Sequence, residues 1–430
     1  MDKICIIGGT PLKGTVEIAG AKNAALPLMA ASLLSEETLT LSNVPHLADI
    51  TTMANLLVHL GVDFCIDGCS EYGGHIGRVF KMTTKSVNTC VAPYEIVRKM
   101  RASIIVLGPL LARFGEASVS LPGGCAIGQR PIDLHLRAFE NMGAKILLQD
   151  GYVHASAPDG LKGGEINFSK VSVGATENAL LAATLANGTT VIKNAAMEPE
   201  ITDLANCLNK MGAQISGIGT SKLKIKGVKR LHKVEHAIIA DRIEAGTFAV
   251  AAAITGGELE LLGIDPEIMG ATLDALKKTG TTVKITDNGI LIKRSKKKKL
   301  KAINIETAPY PGFATDMQAQ FCTLLSMADG VSKISENIFE NRFMHIPELM
   351  RMGANISVDG NIARITGNKT LKAAEVMATD LRASVSLVLA ALVAKGKTDI
   401  NRVYHIDRGY ERIEEKLSAV GAQIERQRSK

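Results

Sequence analysis

The amino-acid sequence predicts a mixed α/β (α+β) protein of two domains that are built from six similar helix-and-strand units. Three observations lead to this prediction: the chain length of 430 residues, a glycine signal that occurs six times, and two kinds of helical segment that alternate. A chain of this length is too long for one ordinary hydrophobic core, and it fits two domains of roughly 200 residues each.

The recurring signal is a glycine followed by a short strand-like segment, as in GVDF at Gly61 and GAKI at Gly143. The pattern occurs again at Gly212, Gly280, Gly353 and Gly421. Successive copies lie 82, 69, 68, 73 and 68 residues apart. Glycine at such places is typical of a helix C-terminus, where the backbone needs a positive φ. The pattern therefore predicts six units, each containing a helix that runs into a strand.

An amphipathic segment precedes most of these glycines. Its apolar residues recur at the three- and four-residue spacing of a helix with one buried face, so each segment is predicted to be a surface helix. The segments are residues 53–60, 134–142, 201–211, 269–279 and 410–420.

A second kind of helix lies upstream in each unit and is apolar on nearly every side. Because exposure of such a helix to water is costly, we expect it at a domain centre. Strand-like alternations such as residues 38–43 and 117–121 lie between the two kinds of helix, with turn residues around them. The predicted buried helices are residues 23–35, 102–112, 176–186, 245–255, 316–328 and 382–394.

The domain organisation follows from the number of units. Six units in two domains suggest three in each, with a boundary between the third and the fourth near residues 226–240. The repeat period alone does not distinguish an extended solenoid from two closed domains.

The composition argues against several classes of partner. The net charge is only +7 and aromatic residues make up 4% of the chain, which is unlike a nucleic-acid-binding protein. The basic run at residues 294–301 is interpreted as a solvated turn. Charge-free apolar runs fall short of the ~18 residues that a membrane span needs. We therefore expect small anionic ligands, no nucleic acid and no membrane.

The cysteines and the first residues bear on the compartment. The seven cysteines form an odd set with no CxxC pair and no Cys/His cluster at zinc-site spacing, which predicts reduced thiols and no metal. The start of the sequence lacks the apolar stretch and cleavage site of a secretory signal. We therefore expect a cytoplasmic protein.

Polar and charged residues gather at the N-terminal ends of the buried helices. A helix N-terminus offers free N–H groups and a positive dipole, which suit phosphate or carboxylate ligands. Several such ends that converge on one cleft would bind a polyanion, whereas isolated ends would be ordinary surface caps. The residues are Lys22, Asn23, Arg101, Ser172, Gly174, Asp316, Asp380 and Arg382.

Residues 121–130 (LPGGCAIGQR) place three glycines around Cys125, with Arg130 close behind. A nearby guanidinium favours the thiolate and makes the sulfur reactive. By composition alone, an inert thiol is an equal alternative.

Nine longer motifs are spread over nearly the whole chain. They are AGAKNAALP (19–27), MRAS (100–103), PGGCAIGQRPIDLH (122–135), KVSVGAT (170–176), DRIEAGTF (241–248), TDMQAQF (315–321), FENRFMHIPEL (339–349), ATDLRAS (378–384) and YHIDRGYERIEEKL (404–417). Together they resemble the UDP-N-acetylglucosamine 1-carboxyvinyltransferases, which perform the first committed step of peptidoglycan synthesis. A set of nine motifs in the family's order is far more specific than any one of them.

The resemblance implies a fold of two domains, each an inside-out α/β barrel of three βαβαββ units. It places the first domain at residues 22–239, with the cysteine loop, and forms the second from residues 1–21 and 240–430. It also implies that the buried helices point their N-termini into the cleft.

The resemblance further implies transfer of the enolpyruvyl group of phosphoenolpyruvate to the 3-hydroxyl of UDP-N-acetylglucosamine, with release of phosphate and without a cofactor. The implied phosphoenolpyruvate site is Lys22, Asn23, Arg130 and Arg408. The implied nucleotide-sugar site is Arg101, Arg130, Pro131, Ile132, Asp133, Leu134, Lys170, Ser172, Val173, Gly174, Asp316 and Ile338.

The implied chemistry assigns Cys125 as the proton donor to the methylene carbon and Asp316 as the base for the sugar hydroxyl. Arg342, Asp380 and Arg382 would close the cleft and orient the cations. In this family the epoxide fosfomycin alkylates the loop cysteine.

Two departures from the family pattern stand out. His46 and Ala48 occupy the turn after Asn-Val-Pro, where the family often has lysine or arginine. The stretch 65–85 is longer than expected and is predicted to form a surface hairpin.

Two alternatives remain at this point: the sister enzyme that acts on 3-phosphoshikimate, and a non-catalytic repeat scaffold. The sister enzyme lacks the cysteine loop and the nucleotide-sugar segment. The scaffold would explain the repeats but not the cations or the cysteine loop.

Overall fold

The computed structural model describes residues 2–121, 131–368 and 370–428. The strands are β1 (Lys3–Ile7), β2 (Lys13–Glu17), β3 (Leu39–Val44), β4 (Asp63–Tyr72), β5 (His75–Thr83), β6 (Val91–Ala92), β7 (Glu116–Ser120), β8 (Lys145–Gln149), β9 (Tyr152–Ser156), β10 (Glu165–Asn167), β11 (Thr189–Lys193), β12 (Gln214–Ser216), β13 (Lys222–Lys226), β14 (Val234–Ala237), β15 (Glu258–Leu262), β16 (Thr282–Thr286), β17 (Gly289–Lys293), β18 (Leu300–Lys301), β19 (Asn304–Glu306), β20 (Ala328–Asp329), β21 (Val331–Ser335), β22 (Asn355–Asp359), β23 (Ile362–Thr366), β24 (Glu375–Met377), β25 (Lys397–Asn401) and β26 (Gln423–Gln427).

The α-helices are α1 (Lys22–Ala31), α2 (Ala48–Leu60), α3 (Tyr94–Val97), α4 (Leu107–Phe114), α5 (Asp133–Asn141), α6 (Val173–Ala183), α7 (Pro199–Lys210), α8 (Arg242–Thr255), α9 (Gly270–Lys278), α10 (Gln318–Leu325), α11 (Ile346–Arg351), α12 (Leu381–Ala391) and α13 (Ile413–Ala419). Short 3₁₀ segments cover Ser32–Leu34, Arg101–Val106, Pro266–Met269, Thr315–Met317 and Val403–Arg408. None of the described helices combines the length and apolar character of a membrane span.

The described strands form six four-stranded sheets of one topology. In the sheet β10-β11-β13-β12, β10 and β11 are parallel and the other neighbours are antiparallel. The chain runs β10, α6, β11, α7, β12, β13, which is the predicted βαβαββ unit. The other five sheets are β14-β3-β5-β4, β6-β7-β9-β8, β2-β15-β17-β16, β19-β21-β23-β22 and β24-β25-β1-β26. The six predicted units are therefore confirmed.

The six glycines that mark the units have the expected backbone. Their φ angles lie between 88° and 107°, in the left-handed region. Each follows a helix and precedes a strand, as at Gly61 between α2 and β4. Glycine adopts this conformation without the steric cost that other residues pay.

The predicted buried helices are buried. Every residue of α10 is buried, and so is every residue of α8 except Arg242. Two predictions need correction, because residues 102–112 and 316–328 both begin in a 3₁₀ segment rather than in an α-helix. The Asn178 side chain donates to the Ile104 carbonyl (2.9 Å) and accepts from the Gly108 N–H (2.8 Å). It thereby takes the place of the α-helical bond between these two residues.

Buried apolar side chains form two separate clusters. The first core draws on residues 21–238, and the second core on residues 4–18 and 240–422. This separation supports two domains rather than a continuous solenoid. The domain boundaries at 22–239 and at 1–21 plus 240–430 stay a prediction.

The chain crosses between the two cores at two adjacent points. Strand β2 pairs with β15 of the second core, yet the chain continues into α1 of the first. Strand β14 pairs with β3 of the first core and continues into α8 of the second. A bridge between Gly20 and Ala240 joins the two crossings. The two cores are therefore joined by two short chain segments that run side by side.

The stretch 65–85 lies mostly in a long hairpin of β4 and β5, as predicted. Its tip is not merely on the surface, because it contacts the second core. A Cβ on Gly73 would lie 2.4 Å from the Gly263 Cα, and His75 Nε2 lies 3.1 Å from Glu411 Oε2. The hairpin therefore bridges the two cores.

The basic run is also largely as predicted, since residues 295–299 are exposed. Arg294 is the exception. Its buried guanidinium donates to the Ala253 and Ile254 carbonyls at the end of α8, where helix carbonyls lack partners.

Candidate active site

Side chains from both cores meet at an aspartate that sequence reasoning missed. Asp49 is buried in the first turn of α2. Its Oδ2 accepts from Lys22 Nζ at 3.3 Å, and its Oδ1 accepts from Arg408 Nε at 2.9 Å. Lys22 begins α1 of the first core, whereas Arg408 ends a 3₁₀ segment among residues of the second core. Asp49 thus joins the two predicted phosphoenolpyruvate-binding cations across the seam between the cores.

A second carboxylate at the seam is clamped by two arginines. Asp316 Oδ1 accepts from Arg342 Nη2 at 2.6 Å, and Oδ2 accepts from Arg382 Nη2 at 3.2 Å. Both guanidinium groups are buried, while the Asp316 side chain keeps 25% of its exposure. Asp316 also interacts electrostatically with Lys22, so the two carboxylate groups belong to one site.

Burial and neighbouring charges shift the pKa values of Asp316 and Lys22. Burial by itself raises the pKa of Asp316, but Arg382, Arg342 and Lys22 outweigh burial and hold this pKa well below its usual range. Burial lowers the pKa of Lys22, and the neighbouring Asp49 carboxylate opposes this shift. The aspartate is therefore ionised at neutral pH, whereas Lys22 depends on its partner for its charge.

A hydroxyl network lies behind the Asp316 clamp. The buried Tyr410 hydroxyl accepts from Arg382 Nη1 at 3.2 Å and lies 3.0 Å from Thr247 Oγ1. Gln320 Nε2 donates to Thr247 Oγ1 at 3.2 Å and to the Asp316 carbonyl at 2.9 Å. The Arg382 guanidinium also lies over the Tyr410 ring, 5.5 Å from its centroid. This network fixes the guanidinium in the plane that it needs to reach Asp316.

The structure brings together Lys22, Asp316, Arg342, Arg382 and Arg408. Asp380 has a different contact, because its carboxylate caps α12 by accepting from the N–H groups of Arg382 and Ala383. Asp380 is thus a helix cap that holds Arg382 at the start of α12. A helix cap is one of the two interpretations open to a charged residue at a helix end.

The other predicted residues lie at helix ends and turns. Ser172 caps α6 and accepts from the Ala175 N–H, with Val173 and Gly174 in the first turn and Lys170 exposed before it. Arg101 begins its 3₁₀ segment, and Asn23 follows Lys22 in α1. Exposed Pro131 and buried Ile132 lead into α5, which starts with Asp133 and Leu134, while the Ile338 N–H donates to Glu336.

Cys125 and Arg130 lie outside the described residues, so their positions relative to the cations stay predictions. The described chain reaches Leu121 at the end of β7 and resumes at Pro131 before α5.

The turn with the unusual residues lies beside the site. His46 and Ala48 are both exposed, and Asp49 follows them directly. The sequence carries no specific signal for Asp49, because an acidic residue in the first turn of a helix is an ordinary feature and its contact with Lys22 spans 27 residues. Tyr410 and Gln320 lie inside quoted motifs, but only the tertiary contacts show their partners. Among the described residues, no group of three or more His, Cys, Asp or Glu side chains is arranged to hold a metal ion.

Comparisons with known proteins bear on the family of the chain. The family model for EPSP synthase (3-phosphoshikimate 1-carboxyvinyltransferase) matches residues 6–417. A UDP-N-acetylglucosamine 1-carboxyvinyltransferase of Paramagnetospirillum magneticum is 61% identical over 426 residues, covering 99% of this chain and 98% of the relative. A protein of the same name from Caulobacter vibrioides is 57% identical over 426 residues, covering 99% and 98%.

Solved structures show the same fold. The enolpyruvyl transferase NikO from Streptomyces tendae matches with a TM-score of 0.87 at 24% identity, covering 100% of this chain and 99% of that one. EPSP synthase from Acinetobacter baumannii matches with a TM-score of 0.73 at 19% identity, covering both chains fully. The predicted two-domain inside-out α/β barrel is confirmed, and the chain belongs to the EPSP synthase family of enolpyruvyl transferases, among its members named UDP-N-acetylglucosamine 1-carboxyvinyltransferase.

Proposed function

We propose that this protein transfers the enolpyruvyl group of phosphoenolpyruvate to the 3-hydroxyl of UDP-N-acetylglucosamine in the cytoplasm, as the first committed step of peptidoglycan synthesis. The observation that carries the proposal is the meeting of cations from both cores around Asp49 and Asp316. Full-length relatives with this activity in their names support the choice of acceptor.

The cations suit phosphoenolpyruvate. Its phosphate and carboxylate together carry about three negative charges, and guanidinium groups bind such anions through paired hydrogen bonds. Lys22 and Arg408 would hold them together with Arg130, and Asn23 would lie alongside. Because Lys22 and Arg408 belong to different cores, bound substrate would draw the cores together.

Asp316 would remove the proton from the sugar hydroxyl. Its two arginine contacts make it a weak base, because they stabilise the ionised form. A useful base has a pKa nearer to the working pH. The sugar hydroxyl must therefore replace one arginine contact before the proton moves, and Arg342 and Arg382 would control this step.

Cys125 would act as the acid. The sugar oxygen bonds to C2 of phosphoenolpyruvate while the thiol gives its proton to C3. The Cys125 thiolate would then take a proton back from C3, the bond from C2 to the phosphate oxygen breaks, and the double bond returns as phosphate leaves. Exclusion of water during these steps gives a movable loop a purpose.

The nucleotide sugar would lie along helix ends. The α6 N-terminus, with Ser172, Val173 and Gly174, would offer N–H groups to the anionic diphosphate. The remaining contacts would come from Arg101, Pro131, Ile132, Asp133, Leu134, Lys170 and Ile338.

Phosphate release from phosphoenolpyruvate tests the proposal directly. We expect release that requires UDP-N-acetylglucosamine and does not occur with 3-phosphoshikimate. Release with 3-phosphoshikimate alone would favour the sister activity. Binding of the nucleotide sugar without any phosphate release would favour a non-catalytic scaffold.

The Cys125→Ser variant tests the proton donor. Because serine is a far weaker acid than cysteine, turnover is expected to fall by at least roughly a hundredfold while the nucleotide sugar still binds. Fosfomycin is expected to inactivate the unmodified protein but not to label this variant. Cys65→Ser is the matched control, because it removes an exposed thiol on β4. Undiminished turnover of Cys125→Ser would contradict the assignment.

A further inference from the structure

We propose that Asp49 is a built-in counter-ion that occupies Lys22 and Arg408 until the substrate anion displaces it. This inference rests on the proposed function, because it takes these cations as the phosphoenolpyruvate site. Asp49 would compete with the substrate anion during binding and would draw the cations back when phosphate leaves.

The contacts of Asp49 support a competing role. Both of its oxygens are engaged, Oδ1 by Arg408 Nε and Oδ2 by Lys22 Nζ and Arg408 Nη2, the last at 3.4 Å. These are the positions that an oxygen of a phosphate or carboxylate would take on the same donors. A substrate anion and Asp49 therefore cannot both have the full set of contacts.

The burial of these groups explains why a counter-ion is needed. The side chains of Lys22 and Asp49 are 9% and 6% exposed, and an unpaired charge in such a place is costly. Arg408 is more exposed, at 35%, so it is the partner that can move away with the other core. Asp49 would thus keep Lys22 charged before substrate binds, and Arg408 is the contact that opens.

Asp49 pairs with cations of the site and not with a cation that lies at its own turn. That cation is Arg78, whose Nη2 donates to the Pro45 carbonyl at 3.2 Å. The Asp49 carboxylate instead contacts Lys22 and Arg408.

Inorganic phosphate provides a probe that needs no turnover. We expect Asp49→Asn to bind phosphate roughly tenfold more tightly than the unmodified protein at neutral pH, because one nearby negative charge is removed. In steady-state assays the KM for phosphoenolpyruvate is expected to fall together with kcat, since phosphate leaves more slowly. Calorimetric titration and initial rates give the two values.

The pH dependence separates a counter-ion from a structural aspartate. The Lys22 side chain faces Asp49, Arg408, Arg382 and Asp316. The Lys22 backbone N–H donates to the Asp241 carboxylate. Because Asp49 raises the pKa of Lys22, its removal makes Lys22 lose its proton at a lower pH. The phosphate affinity of Asp49→Asn should therefore begin to fall at a lower pH than that of the unmodified protein, so the gain in affinity should shrink as the pH rises.

Two further variants complete the experiment. Asp407→Asn removes a negative charge next to Arg408, in the 3₁₀ segment Val403–Arg408. Because the Asp407 carboxylate pairs with Arg426 and not with a cation of the site, phosphate affinity should not change. Asp49→Glu keeps the charge and should keep the affinity near that of the unmodified protein, even if Asp49→Asn folds poorly. Unchanged or weaker phosphate binding by Asp49→Asn, or tighter binding by Asp49→Glu, would overturn the proposal. Lack of acceptor-dependent phosphate release by the unmodified protein would instead remove the proposed function.

Discussion

At the residue scale, each carboxylate of the site forms ion pairs with two cations. Asp49 and Asp316 each hold two cations. Most of these groups lie at the ends of helices or in 3₁₀ segments, whereas Arg342 lies in the loop before α11. Paired charges tolerate burial, whereas single ones do not. Charges held in this way are stable where they are buried, and substrate binding would exchange their partners.

Tyr410→Phe tests the network behind the Asp316 clamp. The change keeps the aromatic ring under Arg382 but removes the hydroxyl that Arg382 and Thr247 share. We expect a loss of about 1 kcal/mol in the free energy of unfolding and a fall in kcat that exceeds any change in KM. Urea unfolding and initial rates provide the measurements. Tyr404→Phe, at a half-exposed ring, is the control, and an equal effect there would argue against the network.

His345 gives a pH prediction. Burial lowers the pKa of this histidine to about 4, although nearby Asp380 opposes the shift. The unfolded chain binds a proton below about pH 6.5, while the folded protein does not. The contribution of His345 to stability is therefore complete above pH 6.5 and is lost as the pH falls toward 4, by roughly 3 kcal/mol.

The measurement is urea unfolding at a series of pH values. His345→Asn is expected to flatten the dependence between pH 6.5 and 4, whereas His59→Asn, at an exposed position, should leave it unchanged. A slope that persists in His345→Asn would assign it to other groups.

At the element scale, the connections decide the architecture more than the helices do. The six sheets share one topology, but three of them include a strand from a distant part of the chain. Strand β1 completes the sheet of β24, β25 and β26, β2 completes that of β15, β16 and β17, and β14 completes that of β3, β4 and β5. The bridge between Gly20 and Ala240 lies just after β2 and β14, where the chain passes from one core to the other.

Gly20→Ala tests the crossing. A Cβ at this position would lie 1.9 Å from the Asn43 carbonyl oxygen, so the backbone must shift. We expect a loss of roughly 3 kcal/mol in the free energy of unfolding, measured in urea. Gly270→Ala at the start of α9 is the control, because no atom lies within 4 Å of the added Cβ, and its effect should stay below about 1 kcal/mol. Comparable stabilities for the two variants would show that the crossing is not tightly packed.

At the scale of the whole molecule, several ion pairs connect the two cores. Asp49 and Arg408 join them at the site, His75 and Glu411 join them at the hairpin, and Glu200 and Arg242 join them near the crossing. Contacts of this kind are specific in geometry and break more easily than an apolar interface. They suit a protein whose cores must move around a ligand.

Glu200→Gln tests this coupling. Glu200 of α7 receives two bonds from Arg242 of α8, at 3.0 and 3.3 Å, and its side chain is buried. Loss of the charge leaves Arg242 without this partner, which is expected to cost roughly 3 kcal/mol. Calorimetry should show an earlier and broader unfolding transition, because the cores unfold less cooperatively.

The matched control is Glu165→Gln, which breaks an exposed pair with Lys193 inside one sheet and should leave the transition almost unchanged. A single transition with unaltered midpoint in Glu200→Gln would mean that other contacts couple the cores.

The sequence by itself determined the repeats, the two kinds of helix and the family. These depend on local signals: glycines with positive φ, helical periodicity and contiguous motifs, all of which are readable within a few residues. It also identified Lys22, Asp316, Arg342, Arg382 and Arg408 through the family resemblance, and the structure places these side chains together.

Only the tertiary structure decided which strands complete which sheets and which carboxylates hold the cations. It alone also shows that the Asn178 side chain replaces a backbone hydrogen bond between Ile104 and Gly108. Such features join residues far apart in the chain, as Asp49 and Arg408 show. Their energies depend on burial and on distances of a few ångströms, which no local pattern encodes. The partners of a buried charge are set by the fold that buries it.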